Sequence, residues 1–262
     1  MLQEVNTVLG VPGRFVRQRT SYFFNLAAFV VFSLRCWLKR TNFFSRDALR
    51  PLVSQMIFTG VDAMVVISVL ALLTGFVFTF RLIAFFGSVE DTVKILVYLV
   101  GLEIGPLMTG IILIIRSGAA VTVDIGNMKL HREIESLEFM GIDIHHYIVV
   151  PRILAVTISQ IILAVYYTMI TVIFGILLSG LLLSKTHFIY LPQLAQGIAG
   201  DVVPIFVLKN LLFGLAIGSI ACYHGLLVGQ SSTEVPQQTQ RAIVNSLVTL
   251  FLIDGLFVFL MI

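Results

Sequence analysis

The length of its apolar runs most limits what this chain can fold into. Five runs, over residues 61–80, 93–115, 151–183, 202–223 and 242–262, extend for about 20 residues or more, the length an α-helix needs to cross a bilayer. None alternates polar and apolar residues as a barrel strand must. Of the 262 residues 58% are hydrophobic and 12% are charged, and the mean hydropathy is +1.01. A soluble domain carries about 25% charged residues, and one globular core cannot hide this much apolar side chain. An ordinary soluble enzyme, a disordered chain and a secreted disulfide scaffold are thereby excluded. The two cysteines, Cys36 and Cys222, cannot form a framework of bridges. The expected fold is an all-α polytopic membrane protein, a single transmembrane domain over 1–262 with five spans.

The few charges set the orientation. Thirteen basic residues fall on the side of the N-terminus, from Arg14 to Arg50, in the loop of residues 116–150 that joins the second and third spans, at Arg152 and at Arg241. Three, Arg81, Lys94 and Lys185, fall on the other side, which predicts a cytoplasmic N-terminus and a C-terminus outside. Within 14–50, an interfacial helix and linker, the longest uncharged stretch (residues 20–34) is short for a crossing, and basic and aromatic residues alternate around it. A helix lying in the interface is expected there. The alternative, a sixth span, would put the basic loops outside. A net charge of +3 gives no reason to expect a nucleic-acid partner.

Ionisable residues inside spans are costly and are candidate functional groups. Counted from residue 93, Glu103 falls near the midplane, and Gly105-Pro106 follows it. Pro106 has no N–H to bond the carbonyl of Leu102, so a kink and a polar notch are expected beside Glu103. A carboxylate there suits an amine headgroup, a glycerol hydroxyl or a cation better than a phosphate; the alternative is a structural hydrogen bond between helices. Lys209 and Asp254 lie at similar depths from the outer ends of their spans and could meet as an ion pair, structural or cavity-lining. Gly214 and Gly218 have the small-xxx-small spacing of a close helix contact, with a dimer face as one use.

The loop holds the other candidate. Leu130, Ile134 and Leu137 recur at helical spacing, Lys129, Arg132, Glu133 and Glu138 occupy other faces, Met128 precedes them, and Gly141 stops the pattern. A helix over 129–141, inside a coupling region of 124–143, is expected to seat its apolar face on a soluble partner; its glutamates argue against anionic lipid. No phosphate-binding G-x-x-x-x-G-K-[ST] loop, C-x-x-C, H-E-x-x-H or G-x-S-x-G motif occurs, and the adjacent His145-His146 cannot form an i, i+4 metal pair. No enzyme activity, metal site or cofactor is expected in this chain.

These stretches carry a resemblance. Leu102-Glu103-Ile104-Gly105-Pro106, Arg116-Ser117-Gly118-Ala119-Ala120, Asp124-Ile125-Gly126-Asn127-Met128, Leu137-Glu138-Phe139-Met140-Gly141-Ile142-Asp143 and Pro151-Arg152 resemble, in order and spacing, the permease subunit of Mla-type (MCE-associated) ABC phospholipid transporters. The match covers about 50 residues closely, and the stretch from Tyr223-His224-Gly225 to Asp254 more loosely. Leu102 stands where the family often has arginine, Asp124 where it has glutamate, and Ile144 where it has proline. The resemblance implies a homodimeric permease in a bacterial inner membrane, bound to an ABC ATPase subunit that holds the ATP and magnesium, and to a periplasmic MCE-domain protein. Its substrate would be phospholipid moved between inner membrane and outer membrane. The loop helix would be the coupling helix. A secondary transporter or another membrane carrier of a lipid-like substrate is the alternative, and usually shows internal repeats, which the sequence lacks.

Overall fold

The computed structural model describes residues 46–86, 98–183, 202–229 and 231–261, with Leu26, Ala28, Phe29, Ser33, Arg35, Ile95 and Leu96. The interfacial helix expected over 14–50 falls almost wholly outside the described residues. Among the described residues all regular structure is helical, and five helices are long and apolar enough to cross a membrane. We label α1 (Arg46–Phe86), α2 (Gly105–Leu113), α3 (Ala119–Leu130), α4 (Glu133–Phe139), α5 (Val150–Leu183), α6 (Val202–Leu226) and α7 (Glu234–Met261). Wide π turns at Val100–Ile104 and Ile114–Gly118 join α2 and α3 into one rod, Val100–Leu130, and a third, His145–Val149, leads into α5.

α5 and α6 form the centre. α1 lies along α5, tied by a hydrogen bond between Ser68 Oγ and Tyr166 Oη at 2.8 Å and by Tyr167 Oη donating to Thr74 Oγ1 at 2.7 Å. Ala63, Ile67, Leu113, Val156, Leu163, Tyr167, Phe213 and Ile217 fill the core between these helices. α6 crosses α5 at bare backbone: a Cβ on Gly214 would lie 2.4 Å from Thr157 Cα, and one on Gly218 would lie 3.0 Å from Ile153 Cα. The small-xxx-small face is therefore used inside the chain, not at a dimer contact.

The second span is longer than its hydropathy predicts. The helix continues past Arg116 to Leu130, so the first half of the expected loop is rod. Packing sustains it: Val121, Thr122, Ile125 and Gly126 are buried, Gly225 of α6 sits against Ile125, and Thr122 Oγ1 donates to the carbonyl of Ala221 at 3.1 Å. The bundle thus has a far end, where the rod and α6 begin and α7 finishes, and a loop end, which carries α4.

Candidate functional site

At the far end, helix geometry leaves a carbonyl in need of a donor. In a regular helix Leu102 would accept from residue 106, which is proline and has no N–H. The backbone widens instead: the N–H of Gly105 bonds the carbonyl of Val100 across the π turn. Lys209 supplies the missing donor to Leu102, its Nζ 2.8 Å from that carbonyl oxygen. The same Nζ donates to Glu103 Oε2 at 2.8 Å and lies 2.6 Å from Asp254 Oδ1, an ion pair out of hydrogen-bonding alignment. Lys209 therefore joins both carboxylates in one triad, where the sequence suggests a Lys209–Asp254 pair and a separate Glu103.

The triad lies toward the far end of the bundle. Lys209 is seven residues into α6 and Asp254 seven from the end of α7, about 10 Å along either helix from the far end. Glu103, bonded to Lys209, sits at the same level. Its burial is uneven. The Lys209 side chain is 1% exposed, while Glu103 is 25% and Asp254 14% exposed. The basic group is enclosed, both acidic side chains are partly exposed, and two acidic residues stand against one basic one.

Behind the triad, Gln160 Nε2 of α5 lies 3.2 Å from the carbonyl of Pro106, 3.1 Å from Thr109 Oγ1 and 3.0 Å from Asn210 Oδ1, joining α2, α5 and α6. Gly105 is a close-approach position: a Cβ there would sit 2.7 Å from Thr168 Oγ1. Pro106 is buried between these groups. The polar residues Gln160, Thr109 and Asn210 are invisible to a search for charge, and only their shared depth in three spans hints at them.

The loop end rearranges the second candidate. A single helix over 129–141 is not formed. Leu130 closes α3, Arg132 adopts a left-handed backbone (φ 57°), and α4 starts anew at Glu133. That backbone costs about 1–2 kcal/mol. The turn it makes buries Ile134 with Val121, Ile125, Ile144 and Ile148, and full burial of such a side chain is worth about 1.5–3 kcal/mol. Leu137 packs at the edge of the same cluster. Met128 Sδ receives the Arg152 guanidinium at 3.8 Å, and Lys129 donates to the carbonyl of Leu226. Arg152 also pairs with Asp124, which joins two of the sequence stretches quoted above. Arg132, Glu133 and Glu138 are exposed. Of the expected apolar face, Ile134 is buried and Leu130 and Leu137 are half-buried, whereas Phe139, 91% exposed, and Met140, 66% exposed, stand out beside Glu135 and Glu138. The chain then turns in a Schellman motif: Gly141 (φ +75°) donates to Glu138 at 2.9 Å and Ile142 to Leu137 at 3.0 Å.

A bundle of five helices long and apolar enough to span a membrane, with a partly open ion triad among them and an exposed helix at one end, describes a polytopic membrane protein. The family model described as Permease MlaE matches residues 52–260, and the chain belongs to that family. A probable ABC transporter permease protein of Rickettsia prowazekii is 28% identical over 213 residues, 79% of this chain and 82% of its own length. The intermembrane phospholipid transport system permease protein MlaE of Haemophilus influenzae is 29% identical over 204 residues, 74% of this chain and 76% of its own. A chloroplastic protein of Arabidopsis thaliana, TRIGALACTOSYLDIACYLGLYCEROL 1, is 23% identical over 208 residues, 78% of this chain and 59% of its own. The chain is a membrane permease of a lipid-transport system.

Proposed function

We propose that this chain is the membrane subunit of an ATP-driven phospholipid transporter and that the Lys209 triad forms part of its headgroup site. The observation that carries the reading is the acidic side chain of Glu103, a quarter exposed inside a rod long and apolar enough to span a membrane. An ionised group facing lipid tails there would cost about 2.5–3.5 kcal/mol on insertion scales, so it belongs against a wet cavity or a ligand. Because Lys209 is enclosed, what the site presents is net negative, and it favours an amine-bearing or hydroxyl-bearing headgroup over a bare phosphate. Pro106 and Gly105 shape that notch by placing the widened backbone of the π turn close to α5.

A second copy of the chain covers the site in this reading. α7 has the largest unpacked face of the five spans, and it carries Asp254. Packing two such faces about an axis would enclose two triads in one cavity. A separate ABC ATPase, holding ATP and magnesium, sits on the loop end, with Phe139 and Met140 entering an apolar pit whose basic rim meets Glu135 and Glu138. In this reading that end, with its basic loops, and the N-terminus lie on the cytoplasmic side of a bacterial inner membrane, with the C-terminus periplasmic and the triad in the outer leaflet. A periplasmic MCE-domain protein would receive or deliver lipid there.

The test is ATP-dependent transfer of fluorescent phosphatidylethanolamine between proteoliposomes carrying the co-expressed complex and acceptor vesicles. Transfer that needs both ATP and this chain is expected. An ATP-independent activity coupled to an ion gradient would replace this reading with a secondary transporter.

A further inference from the structure

α6 is tied to the Val100–Leu130 rod at both ends by lysines reaching in opposite directions. At the far end Lys209 leaves α6 and binds Leu102 and Glu103 of the rod. At the loop end Lys129 leaves the rod and binds the last carbonyl of α6, that of Leu226. The final carbonyls of a helix have no partner within it, and a cation beside them is favoured by the helix dipole. Those of Tyr223, His224 and Gly225 accept from Leu227 and Val228 in the turn that follows, so Leu226 is the one Lys129 serves. Between the two lysines the helices interlock. A Cβ on Gly225 would lie 2.8 Å from Ile125 Cβ, and one on Gly126 would lie 3.0 Å from Val228 Cγ2. The rod and α6 cannot slide independently, and Lys209 lies seventeen residues, about 25 Å, up α6 from Leu226. Only Leu130, His131 and Arg132 separate Lys129 from α4.

We propose that Lys129 is a positioning residue that locks the rod to α6, so that motion of α4 reaches Glu103 and Lys209 as movement of one two-helix lever. This rests on the ATPase reading of the loop end and deepens it: Lys129 transmits, and Phe139 and Met140 dock.

The experiment compares Lys129→Met and Lys129→Arg. In nanodiscs holding the permease alone, Lys129→Met is expected to speed amide exchange at Leu227 and Val228 by about tenfold as the end of α6 opens, and Lys129→Arg to leave it near wild type. In the co-expressed complex, Lys129→Met should keep the ATPase bound and hydrolysing while lipid transfer falls by about tenfold. Unchanged exchange in Lys129→Met overturns the clamp. Faster exchange with unchanged transfer overturns the transmission role, and loss of the ATPase from Lys129→Met makes Lys129 a docking residue. If the wild-type chain retains no ATPase, the ATPase reading fails and takes transmission with it, while the exchange result still decides the clamp.

Discussion

α6 and α7 are neighbouring antiparallel spans of nearly equal mean hydropathy, 2.0 and 2.2, yet 56% of the first is buried within the chain and 17% of the second. The same residue types behave differently on the two. Gly214 of α6 touches the backbone of α5, whereas a Cβ on Gly255 of α7 would meet nothing within 4 Å. Lys209 of α6 is enclosed by three acceptors, and Asp254 of α7 is held by one cation at the edge of an open face. Hydropathy reports that a helix prefers lipid to water. Which faces pack within the chain and which stay available to a second copy or a substrate is decided by small residues and paired charges.

Removing the enclosed charge breaks the contrast hardest. Lys209→Met leaves Glu103 and Asp254 without a cation and the Leu102 carbonyl without a donor, and breaking a buried pair costs about 3–5 kcal/mol. A lower yield and a markedly lower unfolding temperature in detergent are expected. Asp254→Asn, which leaves Lys209 paired with Glu103, should cost far less in the same measurement.

The two glycines give a matched pair. Gly214→Val drives a branched side chain into Thr157 Cα, beyond the roughly 1–3 kcal/mol of ordinary overpacking. Gly255→Val should leave the protomer's melting temperature nearly unchanged and, if α7 is the dimer face, shift the mass measured by light scattering toward the monomer.

At the loop end Phe139→Asp should release the ATPase in a pull-down at little cost in stability, because the side chain is exposed. Leu137→Asp would lower stability as well, since Leu137 packs against this chain's own cluster. A small, local effect is expected of Gly141→Ala. Its Cβ meets no atom, so the cost is that of a left-handed backbone alone, about 1 kcal/mol, read as faster amide exchange at Gly141 and Ile142.

The five spans were legible because apolar length is a one-dimensional signal. Their ends were not. The rod runs on through Arg116 to Leu130 because Thr122, Ile125 and Gly126 pack on α6, a contact between residues about 100 positions apart. Equal depth brought Lys209 and Asp254 into view as a pair. Depth counted along single spans put Glu103 apart from that pair, so its bond to Lys209 stayed hidden. In the loop, helical spacing marked Ile134 and Leu137 as one apolar face, which is correct. Whether such a face meets a partner or its own core is a tertiary fact, and here the left-handed Arg132 folds it inward.

The most direct measurement of the headgroup site is ATP-dependent lipid transfer by the reconstituted complex carrying Glu103→Gln. Lys209 keeps Asp254 and the Leu102 carbonyl in this variant, so the fold and the bound ATPase are expected to persist. Transfer should fall by roughly tenfold or more, the equivalent of one hydrogen bond to a charged group. Wild-type transfer by Glu103→Gln would contradict the assignment and leave the triad a structural element of the bundle.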